Sequence, residues 1–323
     1  NSHGQLGDGN LTSRPTPLKV GAANWHTVAA GDDHNIGIQT DGTLWAWGLN
    51  DAGQIAAPAD IAEESTPTQI SADSWKFVAA GDDYSLAIKQ DGTLWSCGNN
   101  WYSQLGFQGA SEQKIYTLTQ VGADSDWKMV AADNVSTLAV KENGELYAWG
   151  LGTNGRLGTG DTDTQHTPVK VFDNVETVAC GGSGSMLLTN DGEVYTAGSN
   201  SNGQLGNGTT VNQNALVFTK IDITWTPEQI YCGVLHNHVI DSNGQVWSWG
   251  RNGEGQLANG DDSVTKSGTP TIYSTNDAAY EKIFVGYFHN TIGVRTDGTV
   301  WVWGDNNDGE SGKPGADEYF TPQ

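Results

Sequence analysis

The sequence predicts an all-β fold, a β-propeller of four-stranded blades, and two observations predict it. One eight-residue stretch, Asp-Gly-Thr-Leu-Trp-Ala-Trp-Gly at residues 41–48, recurs in close copies five more times. The closing glycines of the six copies are 50, 52, 48, 52 and 54 residues apart: Gly48, Gly98, Gly150, Gly198, Gly250 and Gly304. A regular period of this size indicates one repeated supersecondary unit. Each period also holds four short strand-like runs, which is the pattern of a propeller blade.

The first whole period predicts four strands in order, separated by turn residues: Thr16 to Val20, Thr27 to Gly31, His34 to Thr40 and Thr43 to Leu49. The Asp-Gly pair at residues 41–42 accepts the positive φ values of a tight type I′ turn, so the last two strands form a hairpin. The second strand ends in Val-Ala-Ala-Gly. Because small side chains suit the crowded axis of a propeller, we expect this strand to be innermost.

The two ends of the sequence fall in the middle of a period. A Gly-Gln-Leu-Gly segment at residues 4–7 has counterparts near residues 53, 103, 155, 203 and 255. Residues 305–323 repeat the opening of a period and stop after Thr321-Pro322. The sequence therefore predicts a single propeller domain over residues 1–323, with six complete repeats of about 51 residues plus a partial seventh at 305–323.

These motifs resemble the regulator of chromosome condensation repeat family. The resemblance rests on Gly-Gln-Leu-Gly, then Pro, then Val-Ala-Ala-Gly-x-x-His, then Asp-Gly-x-Leu-Trp-x-Trp-Gly, and it covers essentially the whole chain. The resemblance implies a seven-bladed propeller, of which one blade is incomplete in this chain. A six-bladed ring with overlapping ends is the alternative.

Charge and composition limit the classes of partner. With 15 Lys and Arg against 38 Asp and Glu, the net charge is -23, which repels phosphate backbones and anionic lipid surfaces. We expect no nucleic-acid partner, and no membrane insertion because no apolar run approaches the roughly 20 residues of a span. The low Lys and Arg content, with abundant Asn, Thr, Gly and Trp, favours an extracellular or cell-surface location, with a cytoplasmic one as the alternative.

The turns after the innermost strands carry the first candidate binding residues. These turns and the loops after the hairpins open on the same face, whereas the Asp-Gly turns open on the other. The residues there differ between blades more than elsewhere, which indicates binding on a rigid scaffold. The candidates are Asp32, Asp33, Asp82, Asp83, Tyr84, Leu235, His236, Tyr287, Phe288 and His289. For the recurring histidines, a hydrogen-bonding role within the blade is the favoured interpretation.

Two aromatic residues give the second candidate group. Of the thirteen tryptophans, twelve occupy repeated positions and are expected in the core. Trp101 stands out of register beside Tyr102, where other blades have small or polar residues such as Asp51-Ala52. Large aromatic side chains are favoured anchors of protein and sugar interfaces. We interpret Trp101 and Tyr102 as partner contacts, with a local plug as the alternative.

The sequence favours a protein without catalytic residues, bound metal or cofactor. It contains no nucleophile elbow, phosphate loop or zinc signature. The three cysteines take the places of small or core residues and are expected to be buried thiols. The four carboxylates at residues 32, 33, 82 and 83 suggest solvated surface, and alternatively a cationic partner or a calcium ion.

The predicted function is a non-catalytic scaffold that recognises a protein, or possibly a glycan, through one face. Members of the family that this chain resembles include exchange factors or regulators of a small GTPase, a plant ultraviolet photoreceptor and inhibitors that cap an enzyme. The near-constant period leaves no large insertion for an exchange-factor wedge. The photoreceptor needs Trp and Arg in the turn before the His, where this chain has Asp, Val, Leu, Tyr and Phe.

Overall fold

The fold was analysed in a computed structural model, which describes residues 1–14, 16–107, 113–272, 279–286, 289–307, 309, 311–312 and 318–323. Within these residues the chain divides into two compact units. Unit 1 comprises Asn1–Leu151 and Asp163–Asp173, and unit 2 comprises Gly152–Thr162 and Asn174–Gln323. No helix among the described residues is long and apolar enough to cross a membrane.

The described residues form six four-stranded antiparallel sheets, the blades of a β-propeller, three in each unit. In every blade the strands lie in chain order across the sheet. Blades 1 to 3, in unit 1, are β1 (Trp25–Ala30), β2 (His34–Gln39), β3 (Leu44–Leu49), β4 (Glu63–Ser71); β5 (Trp75–Ala80), β6 (Tyr84–Lys89), β7 (Leu94–Asn99), β8 (Lys114–Gln120); β9 (Trp127–Ala132), β10 (Ser136–Lys141), β11 (Leu146–Gly150), β12 (Gln165–Phe172).

Unit 2 repeats the arrangement and begins with the 3-10 turn Thr153–Gly155. Blades 4 to 6 are β13 (Val175–Gly181), β14 (Gly184–Thr189), β15 (Val194–Gly198), β16 (Ala215–Lys220); β17 (Pro227–Cys232), β18 (His236–Asp241), β19 (Val246–Arg251), β20 (Lys266–Ile272); β21 (Tyr280–Val285), β22 (Asn290–Arg295), β23 (Val300–Asp305), β24 (Glu318–Tyr319). The single-domain organisation of residues 1–323 stays a prediction.

The strands predicted at residues 27–31, 34–40 and 43–49 are confirmed to within two residues. In blade 1 the three strands begin at Trp25, His34 and Leu44. The Asp-Gly turn connects β2 to β3, and Gly42 has a positive φ, +89°. The turn is not the predicted type I′ turn, because Asp41 lacks the positive φ that type I′ also requires. Gly42 N donates to the Gln39 carbonyl at 2.9 Å, which fits a type I turn followed by a glycine in the left-handed region. At the start of β3, Leu44 and Ala46 are buried and Trp45 is half-buried, which follows the period of two of a strand. The alternation ends there, since Trp47 and Gly48 are both buried.

The seven-bladed prediction is wrong, because the structure has six blades among its described residues. The tail at 305–323 was expected to open a seventh period. Instead Tyr319 pairs with Gly304 and Glu318 pairs with Asp305, so that β24 is the fourth strand of blade 6. The tail completes an existing sheet, since an isolated strand in the seventh position would leave its backbone groups unpaired.

The predicted strand from Thr16 to Val20 is also absent. Residues 16–24, all of which the structure describes, form no strand. The corresponding Thr-Pro segment of the next period, Thr66-Pro67, lies inside β4, the strand that pairs with β3 of blade 1. Each blade thus takes its fourth strand from the residues that follow its hairpin. The sequence showed the period correctly but placed the start of the blade one strand too early.

The hydrophobic core lies between consecutive blades within each unit. In unit 1, Ile88 and Leu94 of blade 2 pack with Trp127 and Trp149 of blade 3, and all four side chains are buried. In unit 2 the same arrangement joins Leu188 of blade 4 to residues of blade 5. Because each sheet buries one face on its neighbour, no blade has a complete core of its own.

The Gly-Gln-Leu-Gly segments fasten one blade to the next. The carbonyl of Gln104, in the loop after β7, accepts hydrogen bonds from Trp149 Nε1 at 2.9 Å and from Thr137 Oγ1 at 2.9 Å. Equivalent Trp-to-carbonyl bonds are Trp47 to Gln5, Trp249 to Gln204 and Trp303 to Gln256. The Trp-Gly hairpins are therefore packed and hydrogen-bonded between blades, as predicted.

Candidate functional site

The candidate site lies at one edge of each sheet. The turn between the first and second strands and the connection between the third and fourth strands meet at this edge, because neighbouring strands are antiparallel. We call it the loop edge. In unit 1 it includes the Asp32-Asp33 and Asp82-Asp83 turns and the connections that follow β3 and β7.

The carboxylates of blades 1 and 2 are close together at the loop edge. A backbone hydrogen bond from Asp32 N to Asp82 O, 3.2 Å, joins the two turns. Asp32 is exposed as a residue, yet its carboxylate is partly shielded by the neighbouring loops. This loss of hydration raises the pKa of Asp32, and the negative charges of Asp83 and Asp33 raise the pKa further. The two turns thus form one acidic surface.

Asp83 connects the acidic turns to the next loop. Burial raises the pKa of Asp83, and the charge of Asp51 raises it further, whereas a hydrogen bond from Asn99 opposes the shift. Asp51 follows β3, and its backbone oxygen accepts hydrogen bonds from Lys114 Nζ at 2.9 Å and Tyr116 Oη at 2.8 Å. Sequence reasoning did not select Asp51, although it occupies the same variable loop position as Trp101.

The acidic turns were also considered for calcium. Among the residues that the structure describes, no group of three or more His, Cys, Asp and Glu side chains is arranged to hold a metal ion. Asp33 Oδ1 is engaged by Gln5 Nε2 at 2.5 Å. Calcium needs six to eight oxygen ligands that converge on one point, and the four carboxylates do not provide that set here.

The Trp101–Tyr102 pair is exposed, and its backbone is hydrogen-bonded to neighbouring side chains. The fractional exposure is 56% for Trp101 and 46% for Tyr102. Trp101 N donates to Asn99 Oδ1 at 2.9 Å, and Tyr102 N donates to Gln104 Oε1 at 2.9 Å. Asn99 also bonds to Asp83, through its side chain and through its backbone N at 2.9 Å to the Asp83 carbonyl. These hydrogen bonds place the backbone of the aromatic pair directly beside the acidic surface.

In blades 1 and 2 the residue that begins the second strand is a bridge to the next blade. Tyr84 is fully buried, and its hydroxyl donates to the Ser136 carbonyl of blade 3 at 2.7 Å. His34 is also buried, with Nε2 2.9 Å from Ser85 Oγ of blade 2. The blade-spanning hydrogen bonds agree with the structural interpretation of this position. Tyr84 offers no surface to a partner in this conformation.

In unit 2 the candidate residues are mostly shielded. His236 is fully buried, and burial lowers its pKa well below the ordinary value. Leu235 and His289 are half-buried in the equivalent turns of blades 5 and 6. His289 adopts a φ of +82°, and burial lowers its pKa. Tyr287 and Phe288, which were also predicted to contact a partner, lie outside the described residues.

The cysteines show no sign of catalytic chemistry. All three are described, and none forms a disulfide bond. Cys97 is buried, and burial raises the pKa of its thiol to about 12, which suppresses the reactive thiolate. Cys180 and Cys232 are half-buried, so the prediction of buried thiols is fully met only by Cys97.

Comparison with known families agrees with the fold. The sequence matches the Regulator of chromosome condensation (RCC1) repeat over residues 41–88, 143–188, 191–240 and 243–292. A second description of this repeat matches residues 25–54, 75–104, 175–204, 228–256 and 280–310. The fold and the exposed loop edge define the class of protein. It is a β-propeller whose loops at one edge differ between blades. The chain belongs to the RCC1 repeat family.

Relatives in this family have diverse activities. An ultraviolet-B receptor of Arabidopsis thaliana is 30% identical over 321 residues, which cover 96% of this chain and 72% of that protein. The E3 ubiquitin-protein ligase HERC2 of Mus musculus is 28% identical over 57% of this chain, but the match covers only 4% of the ligase. The structure of Prp20p from Saccharomyces cerevisiae has a TM-score of 0.82 at 21% identity, with 92% of this chain and 76% of that chain covered.

Proposed function

We propose that this chain is a non-catalytic scaffold that binds a protein partner through the loop edge of unit 1. The observation that carries the proposal is the exposed, hydrogen-bonded Trp101–Tyr102 pair beside the acidic turns. Exposed Trp and Tyr side chains can bury a large apolar area on binding and are the favoured centres of interfaces. The acidic turns would complement a basic surface on the partner.

The relatives support a binding role. Prp20p is described together with its binding properties to Gsp1p and histones. The relative from Arabidopsis thaliana is described as a receptor. The ligase relative supports no enzyme activity here, because the matched region is a small fraction of its length. A regulator of a GTPase and an inhibitor that caps an enzyme would both use the same loop edge. The extracellular or cell-surface location and a glycan partner stay predictions.

The proposal is tested by capture of partners on the immobilised protein. We expect Trp101→Ala with Tyr102→Ala to lose the partner that the unchanged protein retains from an extract of its source cells. The melting temperature should stay the same, because both side chains are exposed. Phe284→Ala is the matched control, since Phe284 is 56% exposed but lies within a strand, β21. Retention of the partner by the double variant, or its loss from the control alone, would refute the proposed face.

A further inference from the structure

Three blades place a cation over a pair of aromatic rings at the edge opposite the loop edge. In blade 2, Lys89 Nζ lies 5.2 Å from the ring centre of Trp75 and 4.2 Å from that of Trp95. These distances are typical of cation–π contacts. The other examples are Lys141 over Trp127 and Tyr147, and Arg295 over Tyr280 and Trp301. The last residue of the second strand supplies the cation each time.

Blade 1 has the same pair of rings, but the last residue of its second strand is not a cation. The ring centres of Trp25 and Trp45 are 6.4 Å apart and nearly perpendicular, at 85°. The corresponding pair in blade 2 is also 6.4 Å apart, at 78°. The position of Lys89 is taken by Gln39, which is neutral. The ring arrangement that surrounds a cation in blade 2 is therefore also present in blade 1. There, β2 contributes no charged side chain at the position of Lys89.

A cavity opens at this pair. Its volume is about 450 Å³, and its lining includes both rings, Gln39, Leu18, Val20 and Pro67. Trp25, which the sequence placed in the core, is only half-buried, whereas the equivalent Trp75 is 2% exposed. The rings of blade 1 are thus accessible to a small group from solution. Most of the wall is apolar, and its charged residues are Asp8 and Lys19.

The side chains around each pair of rings determine which kind of cation can bind there. The Lys89 ammonium needs an acceptor for its N–H groups and has one, Asp73 Oδ2 at 2.7 Å. Lys141 likewise pairs with Asp124 and Asp126. Residues 22–24, which occupy these positions in blade 1, are Ala, Ala and Asn. Asp8 lines the cavity, but its carboxylate is engaged by Arg14 Nε at 2.8 Å.

We propose that Trp25 and Trp45 form a binding site for a quaternary ammonium group. A primary ammonium would give up strong hydration here without gaining a carboxylate partner. A quaternary ammonium has no N–H group to satisfy, and its positive charge is attracted by the two ring faces. Choline and the Nε-trimethyl-lysine side chain carry this group. The site lies at the Asp-Gly turns, away from the loop edge, so it is independent of the proposed partner face.

The proposal is tested by titration of the protein with choline while the tryptophan indole N–H resonances are recorded. We expect saturable shifts for Trp25 and Trp45, with a dissociation constant of about 1 mM. The neutral isostere 3,3-dimethylbutan-1-ol and the primary amine ethanolamine should bind at least about tenfold more weakly. Equal binding of choline and its neutral isostere would overturn the proposal.

Variants transfer the blade 2 arrangement into blade 1. Ala23→Asp with Gln39→Lys should fill the site and raise the apparent dissociation constant for choline at least about tenfold. Trp45→Leu should also raise the dissociation constant for choline, because it removes one of the two rings. The matched variant Trp95→Leu should leave choline binding unchanged. A parallel titration with Nε-trimethyl-lysine and with lysine identifies the source of the group. Failure of choline and trimethyl-lysine alike to saturate, or unchanged affinity in the double variant, would refute the site.

Discussion

The histidines show how a single residue type acquires a structural role from its position. His34, His236 and His238 are all buried, and burial lowers the pKa of each. A buried imidazole stays neutral because the charged form loses hydration. In each of these three residues at least one ring nitrogen lies near a hydroxyl group of the next strand or blade. His238 Nδ1, for example, lies 2.6 Å from Ser248 Oγ. Such residues make stability depend on pH.

We expect the protein to lose stability as pH falls from about 6.5 to about 4. Burial lowers the pKa of folded His34 from 6.5 to about 4. Between these values the unfolded chain binds a proton that the folded chain does not, so acidification favours unfolding by up to about 3 kcal/mol at this residue. Urea unfolding of His34→Gln should show a smaller decrease over this range than the unchanged protein. Parallel curves for the two proteins would contradict the assignment.

At the scale of the element, the hairpin and the following loop act as one connector. The glycine that closes each hairpin has a positive φ and lies against the turn before the second strand. At Gly150 φ is +94°, and an added Cβ would lie 2.5 Å from the Val135 carbonyl oxygen. The chain must bend there for the loop to reach the next blade, which explains why the closing glycine recurs.

Gly150→Ala should therefore be strongly destabilising. Gly122 is the matched control, because it also has a positive φ, +65°, but an added Cβ would meet nothing within 4 Å. We expect Gly122→Ala to lower the free energy of unfolding by about 1 to 2 kcal/mol from backbone strain alone. The decrease for Gly150→Ala should be clearly larger because of the clash, as measured by urea unfolding. Equal decreases would show that the close approach is relieved without cost.

At the scale of the whole molecule, charge governs how partners approach. The net charge is -23, and acidic turns lie beside exposed aromatic rings at the loop edge of unit 1. Long-range attraction accelerates the encounter with a basic partner, whereas desolvated aromatic contacts slow its departure. The two groups of residues should consequently affect different rate constants.

Association with a basic partner should slow by about tenfold as salt rises from low to high concentration, because ions screen the attraction. Asp32→Asn with Asp83→Asn should reduce this salt dependence, measured by stopped-flow association. Trp101→Ala should instead speed dissociation and leave the salt dependence intact. If the asparagine variant associates with unchanged salt dependence, the acidic turns do not steer the partner.

The sequence by itself determined the repeat, the hairpin and the family, because these depend on local turn chemistry and on a period that a strand imposes on its side chains. It also singled out Trp101, because this tryptophan lies outside the repeated positions that the other twelve occupy. Only the tertiary structure decided the blade count, because β24 pairs with β23 through backbone hydrogen bonds that side-chain patterns do not encode. It likewise separated Tyr84, buried against blade 3, from the Asp82-Asp83 turn directly before it. Burial depends on the neighbouring blade, and a single period of sequence does not contain its neighbour.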